Sequence, residues 1–260
     1  MNTRRIKSVF TAALLVSLAV MSVSFKKSKS TVDDIHHLSH IEPTYHRTIN
    51  IDGIDIFYRE AGTRDKPTVL LLHGYPTSSH MFRNLIKSLS GKYHVLAPDY
   101  PGYGRSGQPS IEDFDYTFDN MSKIVEGFLE KKNVKKYSIY LMDYRAPIGF
   151  RIAAKYPERV ESLIIQNGNA YEEGLRDFWI PIKKYWKNNT PDGLVWQYTH
   201  GVQDSTKISP DNWQIDQRHI KRKGNNEIQL AMFYDYRTNV PLYPKWQEYF
   251  RKHQPPTLIV

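Results

Sequence analysis

The sequence predicts an α/β protein: a mostly parallel, doubly wound sheet, interrupted late in the chain by a helical insertion. Three observations predict it. Short β-rich runs alternate with stretches of helical periodicity from Tyr45 to Gln166, the pattern of strands joined by crossover helices. Thr68–Leu72 is apolar without alternation, as a strand covered on both faces requires. From Tyr171 to Pro244 the strand-like runs vanish and aromatic residues crowd in. A chain of 260 residues can bury one such core together with an insertion.

Taken in order, the chain opens with Arg4, Arg5 and Lys7 ahead of an apolar run from Val9 to Val23. Ser22-Val23-Ser24 offers a small-x-small cleavage site, so residues 1–24 are expected to be an export signal leading to the periplasm or the exterior. Lys26 and Lys27 follow at once, which leaves an uncleaved membrane anchor as the alternative. Membrane contact is expected only through this segment. Residues 25–44 read as a polar lead-in. Tyr45–Ile51 and Ile54–Glu60 alternate as two strands, with Asp52-Gly53 as their hairpin turn. Thr68–Leu72 runs into His73-Gly74-Tyr75-Pro76, and Thr77-Ser78-Ser79 then offers a cap for a helix from about Met81 to Leu89.

Tyr93–Ala97 is the next strand, followed by a turn-dense loop from Pro98 to Gly107. Phe118–Lys131 places Ile124, Val125, Phe128 and Leu129 on one helical face. The run from Tyr137 breaks at Asp143, and Pro147 sits in the first turn of a helix reaching about Tyr156. Val160–Gln166 is a further apolar strand. Trp246–Arg251 reads as a helix returning to the sheet, and Thr257–Val260 begins a buried strand. The core is therefore expected over 45–170 and 245–260, with the insertion over 171–244.

Composition narrows the function. The chain has no cysteine, which excludes disulfides and thiolate metal sites. Its formal charge is +9, but the basic residues are scattered rather than gathered on one face, so nucleic acid is not an expected partner. No metal or cofactor is expected. Instead, His73-Gly74-Tyr75, Asp99 and Asp143 all fall at the carboxyl ends of strands, where open parallel sheets bind ligands. Asp143 stands where a strand turns sharply into a helix, the nucleophile-elbow arrangement. A carboxylate held there can attack a saturated carbon, displace a halide or open an epoxide, and leave an ester on the protein. The alternative role is an ordinary N-cap.

His73-Gly74-Tyr75-Pro76-Thr77-Ser78-Ser79, Asp99-Tyr100-Pro101-Gly102-Tyr103-Gly104-Arg105-Ser106 and Asp143-Tyr144 occur in that order. Together they resemble the α/β-hydrolase superfamily in its aspartate-nucleophile branch, similar to haloalkane dehalogenases and epoxide hydrolases, over Tyr45 to Val260. The resemblance implies the α/β-hydrolase fold with a helical cap at 171–244, Asp143 as nucleophile, and the backbone N–H groups of Tyr75 and Tyr144 as the oxyanion hole. It implies a small organic substrate, with Tyr185, Trp186, Tyr234 and Tyr236 of the cap as candidate contacts; Tyr198 is a further cap tyrosine. His73 is implied to be a structural member of its loop.

The sequence departs from that pattern in three ways. Tyr75 and Tyr144 replace the Asn and Trp that grip a leaving halide in the closest dehalogenases. Arg145 replaces a glycine, and is expected to crowd the elbow or swing out. The superfamily order is nucleophile, acid, histidine, and the chain ends within what would be the seventh strand, so the last strand and helix, the acid and the histidine would all lie beyond Val260. Ester formation without complete turnover is then expected. The alternative is a non-catalytic homologue or small-molecule-binding protein that keeps the fold.

Overall fold

The computed structural model describes residues 42–175 and 191–260. The expected export signal and most of the polar lead-in lie outside the described residues, as do Tyr185 and Trp186. Seven strands form one sheet in the order β1-β2-β4-β3-β5-β6-β7. They are β1 Tyr45–Ile51, β2 Ile54–Ala61, β3 Thr68–Leu72, β4 His94–Pro98, β5 Tyr137–Met142, β6 Val160–Gln166 and β7 Thr257–Ile259. β1 and β2 are antiparallel to their neighbours, and β4, β3, β5, β6 and β7 run parallel. The hairpin between β1 and β2 turns at Asp52 (φ 48°) and Gly53 (φ 85°), the two positive angles that a tight hairpin needs.

The period-2 geometry of β3 shows why its run is apolar throughout. All five residues are buried. Leu70 and Leu72 join Ile139, Leu141 and Phe128 on one face. Val69 and Leu71 join Phe82, Ile86 and Val95 on the other. Helix α1 (Arg83–Leu89) covers the second face with Ile86. Helices α2 (Phe118–Lys131), α3 (Ala146–Lys155) and α7 (Tyr243–His253) cover the first. The N-terminus of α2 is capped by Thr117, whose hydroxyl accepts from the Asn120 N–H at 3.1 Å. Its Ile124, Val125, Phe128 and Leu129 are buried, each stabilising the fold by roughly 1.5–3 kcal/mol relative to exposure. Between β6 and α7 lie α4 (Pro191–Thr199), α5 (Asp211–Ile220) and α6 (Asn225–Asp235).

One expectation is overturned at the sheet edge. β7 pairs parallel with β6 through Leu163–Thr257, Ile164–Leu258 and Ile165–Ile259, but it is not buried: Leu258 is 56% and Ile259 75% exposed. As an edge strand it has one hydrogen-bonded neighbour, and no described helix covers its faces. Among the described residues no helix is long and apolar enough to cross a membrane.

At the opposite side of the sheet β2 carries a buried carboxylate. Glu60 accepts from Lys132 Nζ at 2.9 Å on both oxygens and lies 2.9 Å from His94 Nε2. Burial alone would raise its pKa. The hydrogen bonds of His94 and Lys132, with the charge of Lys132, outweigh that and hold it at about 2.

Candidate active site

β5 delivers Asp143 to the crest of the sheet, and the backbone there is left-handed, φ 52°. Asp is among the few non-glycine residues that adopt this region readily. A short 3-10 turn, Asp143–Arg145, leads directly into α3, so the carboxylate is fixed between strand and helix rather than borne on a flexible loop. Asp143 is half-buried.

The loop after β3 lies against this carboxylate. The Tyr75 N–H donates to Asp143 Oδ2 at 2.9 Å, and the Tyr144 N–H bonds to the same carboxylate. Burial pushes the Asp143 pKa up, opposed by these two N–H groups and by the charge of Arg145. Gly74 permits the close approach: a Cβ added there would stand 2.8 Å from both Cβ and Oδ2 of Asp143. Gly74→Ala is therefore expected to push the carboxylate off the Tyr75 N–H. The urea unfolding midpoint should report a loss of about 1–3 kcal/mol from overpacking, and the Tyr75 amide resonance should move as its bond to Asp143 is lost.

His73 locks the same loop. Its Nδ1–H donates to the Gly74 carbonyl at 2.9 Å, and its Nε2 accepts from the Tyr100 N–H at 3.3 Å. Both ring nitrogens are thus committed, and burial with the Arg145 charge keeps the ring neutral. Asp99 at the end of β4 organises the next segment by accepting from the Ser79 N–H at 2.7 Å and the Arg105 N–H at 2.8 Å.

Arg145 neither crowds the elbow nor swings out, contrary to expectation. It turns inward and is 1% exposed. Its guanidinium stacks 3.6 Å over the Tyr103 ring, and Nη1 donates to the Gly74 carbonyl at 2.7 Å. The space that a glycine would leave is filled by the flat cation lying on an aromatic face.

Of the expected substrate contacts, Tyr236 is brought to the elbow: it stacks on Tyr144 with centroids 4.9 Å apart. Tyr234 is not. It is 69% exposed, with the Arg237 guanidinium 4.0 Å over its ring. The two residues are separated by about 200° around a helix end, so they cannot share a face. Phe233 was not singled out from the sequence, yet it packs edge-on against both Tyr75 (5.0 Å) and Tyr144 (4.9 Å). Its place in an aromatic run at the end of α6 was the only signal. The Tyr144 hydroxyl donates to the Met232 carbonyl at 2.6 Å, tying the elbow to α6. Two surface clefts, of about 300 Å³ beside Asp119, Arg151 and Trp246 and about 540 Å³ beside Lys66, His94 and Lys132, contain none of these residues.

A second polar node joins the insertion to the loop after β3. Asp216 of α5 is 1% exposed and accepts from the Tyr198 hydroxyl of α4. Burial, opposed by hydrogen bonds from Tyr198 and Thr77, pushes its carboxyl up to about 7. A raised folded pKa means that the protonated form stabilises the fold; that contribution is complete below the ordinary carboxylate range and is lost as pH rises through 7. Glu60 acts oppositely, contributing above about pH 4.5 and losing its contribution as pH falls toward 2. His73, His80 and His219 are held neutral by burial and add stability as pH rises toward 6.5, so Asp216 opposes them. Asp216→Asn should therefore steepen the rise of the urea midpoint between about pH 4 and 7, by an amount on the order of a few kcal/mol relative to wild type; identical pH profiles of the two proteins would contradict it.

Residues 67–194 match the family model described as the alpha/beta hydrolase fold. An uncharacterized hydrolase of Saccharomyces cerevisiae is 40% identical over 238 residues, covering 85% of this chain and 81% of the relative. A haloalkane dehalogenase of Bradyrhizobium diazoefficiens is 38% identical over 43% of this chain, a match that spans 35% of that relative's length. Among solved structures, a haloalkane dehalogenase of Bradyrhizobium elkani superposes with a TM-score of 0.65 at 19% identity, covering 84% of this chain and 80% of that one. At that identity the likeness is one of fold.

Proposed function

We propose that this chain, which belongs to the α/β-hydrolase family, acts in the manner of its haloalkane dehalogenase relatives on a small organic electrophile through Asp143. In the first step Oδ1 attacks a saturated carbon. A C–O bond forms to Asp143 and a carbon–halogen or epoxide carbon–oxygen bond breaks. A halide leaves as the anion, or the epoxide oxygen leaves as an alkoxide that takes a proton from water to become a hydroxyl. In the second step water adds to the ester carbonyl and gives a proton to solvent; the oxyanion that develops is the former Oδ2, and its collapse breaks the acyl C–O bond, releasing the alcohol and restoring the carboxylate.

The observation that carries this reading is the backbone donor that the loop after β3 presents to the carboxylate. Oδ2 is held by the Tyr75 N–H at 2.9 Å, in the position of an oxyanion hole. Such a donor is worth about 2.7–4 kcal/mol in the acyl-transfer step. An N-cap role does not account for a donor from a separate loop, 68 residues away in sequence. His73 cannot release the ester, because both of its nitrogens are engaged.

The substrate is apolar and compact, for the groups around Asp143 are the rings of Tyr75, Tyr144, Phe233 and Tyr236. These rings pack on one another. Of the two electrophile classes the epoxide is favoured. The amide and indole donors that would grip a departing halide are absent at Tyr75 and Tyr144. The test is peptide mapping by mass spectrometry after incubation with a terminal epoxide or a 1-haloalkane: one adduct on the peptide bearing Asp143 is expected, and none in Asp143→Asn.

A further inference from the structure

We propose that Arg145 is a positioning residue for the Asp143 carboxylate: it fixes the Gly74–Tyr75 peptide unit that holds Oδ2, and it supplies the positive charge that balances the ionised side chain. The inference rests on the reading of Asp143 as the nucleophile. Three observations support it. First, the Gly74 carbonyl accepts from Arg145 Nη1 at 2.7 Å and from His73 Nδ1 at 2.9 Å. The Tyr75 N–H that holds Oδ2 belongs to that same peptide unit. Planarity of the unit transmits the constraint, so fixing the oxygen aims the N–H.

Second, Arg145 is buried without a carboxylate of its own. No salt bridge among the described residues includes it, and Nε and Nη2 make no hydrogen bond there. A buried cation of this kind is destabilising unless a charge or a ring face compensates it. The Tyr103 and Tyr100 rings supply part of that, at 3.6 and 5.5 Å. Asp143 supplies the opposite charge across the loop.

Third, the other titratable groups around the elbow are neutral in the working range. His73 is held neutral by burial and by Arg145. The phenols of Tyr75, Tyr100, Tyr103, Tyr144 and Tyr236 are all pushed up, in each case by burial first. Asp235 acts on Tyr144 from the end of α6 and adds negative charge. Arg145 is therefore the cation that opposes burial of the Asp143 charge.

The experiment is a titration of the full chain labelled with ¹³Cγ-aspartate, with Asp143 assigned by the loss of its signal in Asp143→Asn. Three variants separate charge from hydrogen bonding. Arg145→Gln keeps a donor for the Gly74 carbonyl without charge, and should raise the Asp143 midpoint by one unit or more while leaving the Tyr75 amide shift near its wild-type value. Arg145→Met should move both. Arg145→Lys should move the midpoint by less than half as much as Gln. A midpoint unchanged in Arg145→Gln overturns the proposal, and so does a Tyr75 amide unmoved in Arg145→Met; if Met does not fold, the Gln and Lys pair decides alone. A wild-type chain that forms no ester, but whose midpoint still moves in Arg145→Gln, sinks the nucleophile reading and upholds the positioning one.

Discussion

Asp143→Asn is expected to abolish ester formation, lowering its rate by about 10⁴-fold or more, which corresponds to about 5.5 kcal/mol of activation free energy. An amide oxygen carries no full charge and is a poor nucleophile toward saturated carbon. Asparagine is the informative substitution because the backbone at this position is left-handed, φ 52°, and Asn tolerates that region as Asp does. Alanine would add about 1 kcal/mol of backbone strain and confuse a chemical loss with a structural one. The amide oxygen can still accept from the Tyr75 N–H, so the fold should be preserved. Urea midpoints of wild type and variant should agree within about 1 kcal/mol. Retention of more than a tenth of the wild-type rate would show that another group attacks.

Gly104→Ala should be strongly destabilising. Gly104 has φ 51°, and a Cβ added there would lie 2.0 Å from Asp99 Oδ2 and 2.7 Å from Ser78 Cβ. The left-handed backbone alone costs alanine roughly 1–2 kcal/mol. Relief of the clash requires Asp99 to rotate. It would then abandon the N–H groups of Ser79 and Arg105, at 2.7 and 2.8 Å. Each is a hydrogen bond to a buried charged group, worth roughly 1.5–3 kcal/mol. The expected sum is about 4–8 kcal/mol, against a typical total stability of roughly 5–15 kcal/mol. A variant that melts within about 1 kcal/mol of wild type would mean that Asp99 does not hold these two loops together.

The parts of this molecule legible in the sequence are those where one residue type answers one local demand. The unbroken apolar run of β3 reads as a strand covered twice, and it is. The Asp52-Gly53 pair reads as a tight hairpin, and both angles are positive. The elbow at Asp143 was legible because a β-rich run stops at a residue that tolerates left-handed backbone, just before a proline in the first turn of a helix. What lay hidden was direction. Arg145 was legible as an anomaly, but its course inward onto Tyr103 depends on a loop that closes around it from 42 residues earlier. Tyr234 and Tyr236 look alike in sequence and diverge because a helix end turns one to solvent and the other onto Tyr144. The bond from Tyr198 to Asp216 joins two separate helices, and no local pattern encodes it. The composition of β7 suits a buried strand, but burial of a strand is decided by what lies over it, and here Leu258 and Ile259 lie open to solvent.

The account stands on a carboxylate at the bend between β5 and α3 acting as the nucleophile. Its most direct test is a peptide map of the chain after incubation with a terminal epoxide, in parallel with Asp143→Asn. The account predicts a single stoichiometric adduct, carrying the mass of the opened epoxide, on the peptide that contains Asp143 in the wild type and on no peptide of the variant. An adduct of equal yield in both proteins, or no adduct on the Asp143 peptide of a folded wild type across reactive epoxides and haloalkanes, would contradict it.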